Sequence, residues 1–509
     1  MPGHGPDAAV ARARPRHHEG GTPRIVGAAV AGFVGMGMVV LGAAQPGSPF
    51  TSKLPGSWIF GVPSAGSGPA RHVLLGMALV YAGMIVVLSA WYRMVTVPAP
   101  HGDKAMARLS GVLALWVAPL IVAPPLFSRD VYTYGAEGRL VSRGVDPYTH
   151  GLQSVRGSAF FGLADPLWRH AHAPYGPVFF DVARAVTHLG TVFATVEGYR
   201  LVALVGVALM AVSIPSLARS LGRDPSTAFA LAVLNPLVLL CFVGGLHNDA
   251  LMLGLLVAGL ALARRGHPVL GIVLCALGAE VKVPCLLGVV FIGWEWAGAH
   301  APARRRLAGV ARAVVVALAV MAVVSEASGL GWAWLWNLSD PGRVNSWLDP
   351  ATAVGLALSH VLTFFGAGAH THALVVGARA AALLVAGVIV CVLLSRTDRV
   401  GIPRALGWSL LAVVFLGPIV WPWYETWGLV VLALAADVWS RRAVLVLSAV
   451  GCFATVPAHL HATAADVAVA VVALLVVAAG AAFSLVRARR GAGAGPAGGG
   501  LSPVPAGDS

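Results

Sequence analysis

A chain of 509 residues that is 58% hydrophobic and only 11% charged, with 61 glycines, carries more apolar surface than a water-soluble globule can bury, so lipid must be its main solvent. The formal net charge of +14 does not signal a nucleic-acid partner, because it follows the turns between apolar runs. Five cysteines (Cys241, Cys275, Cys285, Cys391 and Cys452) show no CxxC or Cys/His ligand spacing, which excludes a disulfide framework and a structural zinc site.

In chain order, residues 1–23 are basic and rich in His and Pro, and are expected to form a disordered cytoplasmic tail. No cleavage-site pattern follows, so the first apolar run is expected to be an uncleaved helix. Runs suited to membrane spans occur near residues 25–44, 72–92, 109–126, 199–218, 226–243, 249–263, 268–281, 283–297, 308–325, 373–394, 405–420, 424–438, 443–458 and 464–486. They predict an all-α polytopic membrane protein of about fourteen crossings, since continuous rather than alternating hydrophobicity specifies helices and not a barrel. Residues 24–487 form one transmembrane domain, with 127–198 as its long outer segment; residues 488–509 are a Gly/Pro/Ala-rich cytoplasmic tail.

Short loops rich in Lys and Arg stay cytoplasmic. With the N-terminus inside, 23 of the 35 basic residues but only 8 of the 21 acids share that side, among them Arg93, Arg219, Arg264, Arg306, Arg396, Arg441 and Arg487. Both termini are then cytoplasmic. Residues 350–369 are apolar, but counting them as a crossing would put Arg396, Arg399 and Arg404 outside, so they are expected to form an interfacial or re-entrant helix.

The stretch LFSRDVYTYGAEGRLVSRGVDPYTHG, residues 126–151, concentrates Arg129, Asp130, Glu137, Arg139, Arg143 and Asp146 in an otherwise oily chain. Four other polar groups fall on the same outer side: GGLHNDALM (His247, Asn248, Asp249), GAEVKVP (Glu280, Lys282), WAWLWNLSDPGRVNSW (Asp340, Arg343, Asn345) and WPWYETW (Tyr424, Glu425). Ionisable groups at membrane depth are costly and mark functional sites. Each group also has a local explanation. Asp130 and Asp249 suit helix N-caps, Glu280 and Lys282 suit a mutual ion pair, and the tryptophans suit an interfacial belt. Asp146-Pro147-Tyr148 and Pro174-Tyr175-Gly176-Pro177 are turn chemistry. The reaction that needs an acid, a nearby cation and aromatic faces at a lipid boundary is glycosyl transfer from a lipid-linked sugar phosphate.

FSRDVYTYGAEGRLVSRGVDPY, followed by PYGPVFF, GGLHNDALM, EVKVP and WPWY, resembles the actinobacterial polyprenol-phosphate-mannose-dependent alpha-1,6-mannosyltransferases of the MptB type, in the GT-C superfamily. The resemblance runs from about residue 110 to 440 and implies a GT-C fold with a catalytic first outer loop. It also implies a cell-membrane enzyme whose site faces outward. Such an enzyme extends the alpha-1,6-mannan core of lipomannan and lipoarabinomannan, taking mannose with inversion from polyprenyl-phosphate-mannose and adding it to a phosphatidylinositol-mannoside-type acceptor.

The GT-C acid maps onto Asp130. Arg129 before it and Val131 after it depart from the paired acids of some members, so no cofactor is indicated and a divalent metal there is in doubt. Lys282 is the candidate for the donor phosphate, with His247, Asn248 and Arg129 assisting. Glu137 and Asp146 are second choices for the base or for sugar hydroxyls, Tyr132 and Tyr148 are candidates for the sugar pocket, and Asp249, Glu280, Trp421, Trp423, Tyr424 and Glu425 are candidates for the lipid and acceptor side. Two alternatives stay open: a paralogue using another sugar, such as arabinose, or another acceptor, and a lipid-sugar transporter or flippase, which would show paired repeats or broken helices near the membrane centre.

Overall fold

Inside lipid every backbone N–H and C=O must find its partner within the chain, and apolar runs meet that demand as helices. The computed structural model describes residues 21–48, 50–51, 70–96, 103–344, 349–367, 370–435 and 437–455. The expected span at 464–486, the C-terminal tail, nearly all of the N-terminal tail and Asn345 lie outside the described residues. Among those described, regular structure is helical apart from one antiparallel bridge, Thr51 to Leu126.

Three long helices come first: α1 (Gly21–Ala43), α2 (Ala70–Thr96) and α3 (Asp103–Ile121). The outer segment contributes α4 (Asp130–Ser142), α5 (Ala159–Leu163) and α6 (Pro177–Thr187). Next come α7 (Val192–Ser220), α8 (Pro225–Ala232), α9 (Pro236–Leu239, continued by a π turn to Gly244), α10 (Asp249–Arg264), α11 (Pro268–Ala279), α12 (Leu286–Trp296) and α13 (Ala303–Ser328). The chain continues through α14 (Pro350–Phe364), α15 (Thr371–Ser395), α16 (Thr397–Val400), α17 (Ile402–Phe415), α18 (Pro422–Leu432) and α19 (Val438–Ala454).

Six helices, α1, α2, α3, α7, α13 and α15, are long and apolar enough to cross a membrane; α8 and α9 make a seventh if their 51° bend joins one span. The runs expected to cross at 249–263, 268–281, 283–297, 405–420, 424–438 and 443–458 are helical, but only 11 to 17 residues long. All are shorter than the roughly 20 residues of a full crossing. The third run ends at Ile121 rather than 126, because Pro124 and Pro125 lack the N–H and conformational freedom a helix needs.

Glycine explains how these helices approach each other. Gly35 faces Gly83 and Gly42 faces Gly76 between α1 and α2; Gly259 meets Gly271 between α10 and α11, and Gly407 meets Gly428 between α17 and α18. A Cβ at Gly83 would stand 2.6 Å from the Gly35 carbonyl oxygen, so contact at backbone distance requires the missing side chain.

Polar contacts sort the turns into two ends. At one end Arg441 reaches the Val95 carbonyl, Arg404 faces Asp437, Arg306 pairs with Asp398, and Arg264 bridges Glu295 and the Ser220 carbonyl. At the other end lie 122–129, 244–248, 280–285, 329–344 and 416–421. The helix at 350–364 belongs to this second end. Asp349 Oδ1, just before α14, accepts from Val420 N at 2.7 Å, and Ser359 meets Thr371 at the start of α15. α15 ends beside the start of α13, through Asp398 and Arg306, at the opposite end from Asp349.

Candidate functional site

The site is assembled where two loops are pinned together. Arg200, on α7 and 1% exposed, donates to the carbonyls of Leu120 (2.6 Å), Ala123 (2.5 Å) and Val243 (2.7 Å), while Glu197 accepts from its Nε. Leu126 N–H then donates to the Gly244 carbonyl at 2.9 Å. Each loop carries a non-glycine residue in the left-handed region, Phe127 (φ 63°) and Leu246 (φ 58°). Such strain persists only where surrounding contacts enforce it. Three residues after the first stands Asp130, and directly after the second, His247.

Asp130 opens α4 but does not cap it: its own N–H donates to Ser128 Oγ at 3.1 Å. The carboxylate is thereby released from the structural duty that the sequence allowed for it. Its Oδ2 lies 3.4 Å from His247 Nδ1, and the His247 ring stacks at 4.0 Å on Trp423, which stacks in turn on Trp421 at 5.1 Å. Along the same face of α4 follow Thr133, Tyr134 and Glu137, at the i+3, i+4 and i+7 spacing that shares one helix face. The back of α4 has Gly135 against Phe160 and Gly138 against α6 at Ala183 and Thr187, so the helix is clamped from behind. Burial, with Asp130 nearby, raises the Glu137 carboxyl well above the ordinary carboxylate range.

Lys282 supplies the cation. Its Nζ lies 2.9 and 3.0 Å from the two oxygens of Asp249, 3.4 Å from Asn248 Oδ1 and 4.4 Å from the centre of the Tyr424 ring. Trp427 Nε1 holds Asp249 from the other side at 2.6 Å. The local pair expected with Glu280 is not made: Glu280 turns beneath the start of α6, facing the Val178 amide. Residues two apart at a helix junction diverge, whereas Asp249 at the head of α10 points straight at the lysine.

These groups surround a cleft lined by Asp130, Glu137, Lys282, Trp421 and Tyr424 among the expected residues. His247, Asn248, Asp249 and Trp423 stand directly behind that lining. Arg129 precedes Asp130 without lining the cleft. Besides Glu280, four candidates lie elsewhere. Tyr132 is fully buried on the opposite side of α4, toward Arg200, and Tyr148 packs on Phe180. Asp146 is occupied by its own turn, accepting from Tyr148 N and Thr149 Oγ1. Glu425 points into the bundle, toward Gly451 of α19.

Of the roof over the cleft, the sequence singles out only Asp340 and the turn that holds Tyr175. Trp168, His172 and Tyr175 of the outer segment meet Leu338 and Asp340 over the cleft, fastened by Asp340 accepting from His172 N (2.8 Å) and Asn337 donating to the Tyr148 and Ala173 carbonyls. Among the described residues, no group of three or more His, Cys, Asp or Glu side chains is placed to share a metal ion.

The model of the alpha-(1->6)-mannopyranosyltransferase N-terminal domain, MptA/B family, matches residues 29–298, and that of the MptB C-terminal domain matches 351–485. The chain is 33% identical over 415 residues to a probable alpha-(1->6)-mannopyranosyltransferase of Mycolicibacterium smegmatis, covering 74% of this chain and 72% of that one. It is 32% identical over 442 residues to alpha-(1->6)-mannopyranosyltransferase A of Mycobacterium tuberculosis (83% and 82%), and 31% identical over 405 residues to alpha-(1->6)-mannopyranosyltransferase B of Corynebacterium glutamicum (73% and 67%). No solved structure matches it. An acid freed from capping, a fixed lysine and an aromatic wall are thus found in a chain that belongs to the MptA/B family of membrane alpha-(1->6)-mannopyranosyltransferases.

Proposed function

We propose that this protein is a GT-C glycosyltransferase that moves mannose from polyprenyl-phosphate-mannose onto an alpha-1,6-mannan acceptor, with inversion, in a cleft on the extracytoplasmic side of the cell membrane. The observation that carries the reading is Asp130: a carboxylate at the cleft surface, relieved of capping, with a part-buried ammonium lining the same cleft. Asp130 takes the proton of the acceptor hydroxyl as that oxygen attacks the anomeric carbon. The bond from that carbon to the phosphate oxygen breaks on the opposite face, and its electron pair leaves with polyprenyl phosphate, whose growing charge Lys282 offsets. The gathering of arginines at the opposite end of the bundle supports an outward-facing cleft.

A transporter reading would draw on the break between α8 and α9. That break is filled by protein: Asn235 caps Leu237 N and donates to Ser448 Oγ, and Trp91 Nε1 takes the Ala230 carbonyl. The test is a membrane assay with labelled polyprenyl-phosphate-mannose and a short alpha-mannoside, followed by linkage analysis of the product. A new alpha-1,6 bond supports the reading; transfer of arabinose alone points to the paralogue, and movement of lipid-linked sugar with no new glycosidic bond supports transport.

A further inference from the structure

Beyond Asp130, the cleft face of α4 presents polar atoms that the protein itself leaves without hydrogen-bond partners. Thr133 Oγ1, Tyr134 OH and Glu137 Oε2 are all buried and unpaired, on residues that are 7%, 1% and 5% exposed. Burying one such group without a partner costs roughly 1–3 kcal/mol, so three in a row along a cleft require a reason other than packing. Their positions are rigid. α4 is clamped through Gly135 and Gly138, and the Tyr134 ring sits between Phe179 (5.2 Å) and Tyr175 (5.8 Å), while Tyr199 OH donates to the Tyr134 carbonyl. Asp130 stands at one end of the row and Glu137 two helical turns away, roughly 10 Å along the axis.

We infer that Thr133, Tyr134 and Glu137 form a hydroxyl-reading wall for a hexopyranose, beginning at the reaction centre and running away from it. Two hydroxyls and a carboxyl match the donor and acceptor pattern of sugar hydroxyls, and Tyr175 beside them offers an apolar ring for the sugar's C–H face. Burial raises the Glu137 carboxyl and so favours its protonated, hydrogen-bond-donating form, which suits recognition of a hydroxyl. The identity of the sugar rests on the mannosyltransferase reading above; the hydrogen-bonding wall does not.

The experiment uses the full-length protein in nanodiscs with a methyl alpha-1,6-mannobioside acceptor and its mono-deoxy analogues, comparing wild type with Thr133→Val, Tyr134→Phe and Glu137→Gln. Each variant that unfolds at the wild-type temperature is expected to raise one substrate's KM roughly three- to tenfold with kcat largely kept. It is also expected to be indifferent to removal of the one hydroxyl that it reads. A rise confined to the acceptor KM assigns the wall to the acceptor; a rise confined to the donor KM assigns it to the donor's mannose. Unchanged KM values and unchanged discrimination among the deoxy sugars overturn the wall, as does a Glu137→Gln enzyme with collapsed kcat and normal KM, which would make Glu137 the base. If wild type transfers no mannose, calorimetric binding of the mannobioside decides separately: binding weakened by the three substitutions keeps the wall while the transfer reading falls, and no binding overturns both.

Discussion

The two ends of the bundle are built on opposite terms. At the arginine end, connections are short, Asp224 and Asp437 cap the helices that follow them, and Gly222, Gly266, Gly298 and Gly401 take the left-handed turns. Two of its ion pairs are partly solvated, Arg264–Glu295 at 36% and 33% exposed and Arg404–Asp437 at 40% and 24%, while Arg306 is buried against Asp398. At the cleft end, Phe127 and Leu246 hold left-handed backbone that glycine would adopt freely, polar atoms are buried unpaired, and the pair Lys282–Asp249 is 11% and 0% exposed. Departures from the local rules are not confined to one end, since His300 also holds left-handed backbone beside Asp398, but at the cleft they gather around one open space, as expected of a site whose geometry is set by chemistry.

That contrast can be broken by substitution. The largest effect is expected from Asp130→Asn, with transfer down ~10²-fold or more and thermal unfolding unchanged, because Ser128 rather than Asp130 engages the backbone at the start of the helix. A variant that unfolds early would return Asp130 to a structural role. Next is Lys282→Met, expected to destabilise by about 3–5 kcal/mol by stranding the fully buried Asp249, with Lys282→Arg retaining the fold. Unfolding curves that leave Lys282→Met as stable as wild type would show that Asp249 tolerates isolation. At the other end Asp224→Ala removes a cap that accepts from Thr227 N at 2.8 Å, so about 1 kcal/mol of stability should go, with turnover untouched. The smallest change is expected for Arg264→Ala, at most about 1 kcal/mol and fading with salt, as befits a solvated pair. A larger, salt-insensitive loss would mean that the two ends differ less than their exposure suggests.

Helix positions were legible because lipid forces hydropathy and backbone pairing into register, and the five polar motifs were legible because charge is conspicuous in an apolar chain. Side-chain direction was less so. Tyr132 and Tyr134 differ by about 200° around α4, and only the second shares the phase of Asp130 and Glu137. The i+3, i+4, i+7 row from Asp130 was present in the sequence and would have selected it. By contrast, the partner of Lys282 lies 33 residues away at Asp249, and the roof joins His172 to Asp340 across 168 residues. No local pattern encodes such meetings. The lengths of α11, α12, α17 and α18 fall short of their apolar runs, because hydropathy registers apolar character but not where a turn begins.

Arg200 lies eight residues into α7, about 12 Å from its start, and all of its guanidinium donors found to be engaged meet Glu197 or three carbonyls from other segments. An arginine within the apolar part of a lone helix is unfavourable in lipid, so α7 gains when those acceptors surround it. Leu120 and Ala123 are already synthesised when Arg200 emerges; Val243 follows 43 residues later. Biogenesis therefore has an order: α7 can dock onto the end of α3 as it inserts, and the arrival of the π turn then completes both the shielding of the arginine and the apposition of Asp130 with His247. The step that makes the bundle tolerable to lipid is the same step that assembles the cleft, so chains that fail to mature should be recognisable to membrane quality control by an unshielded α7.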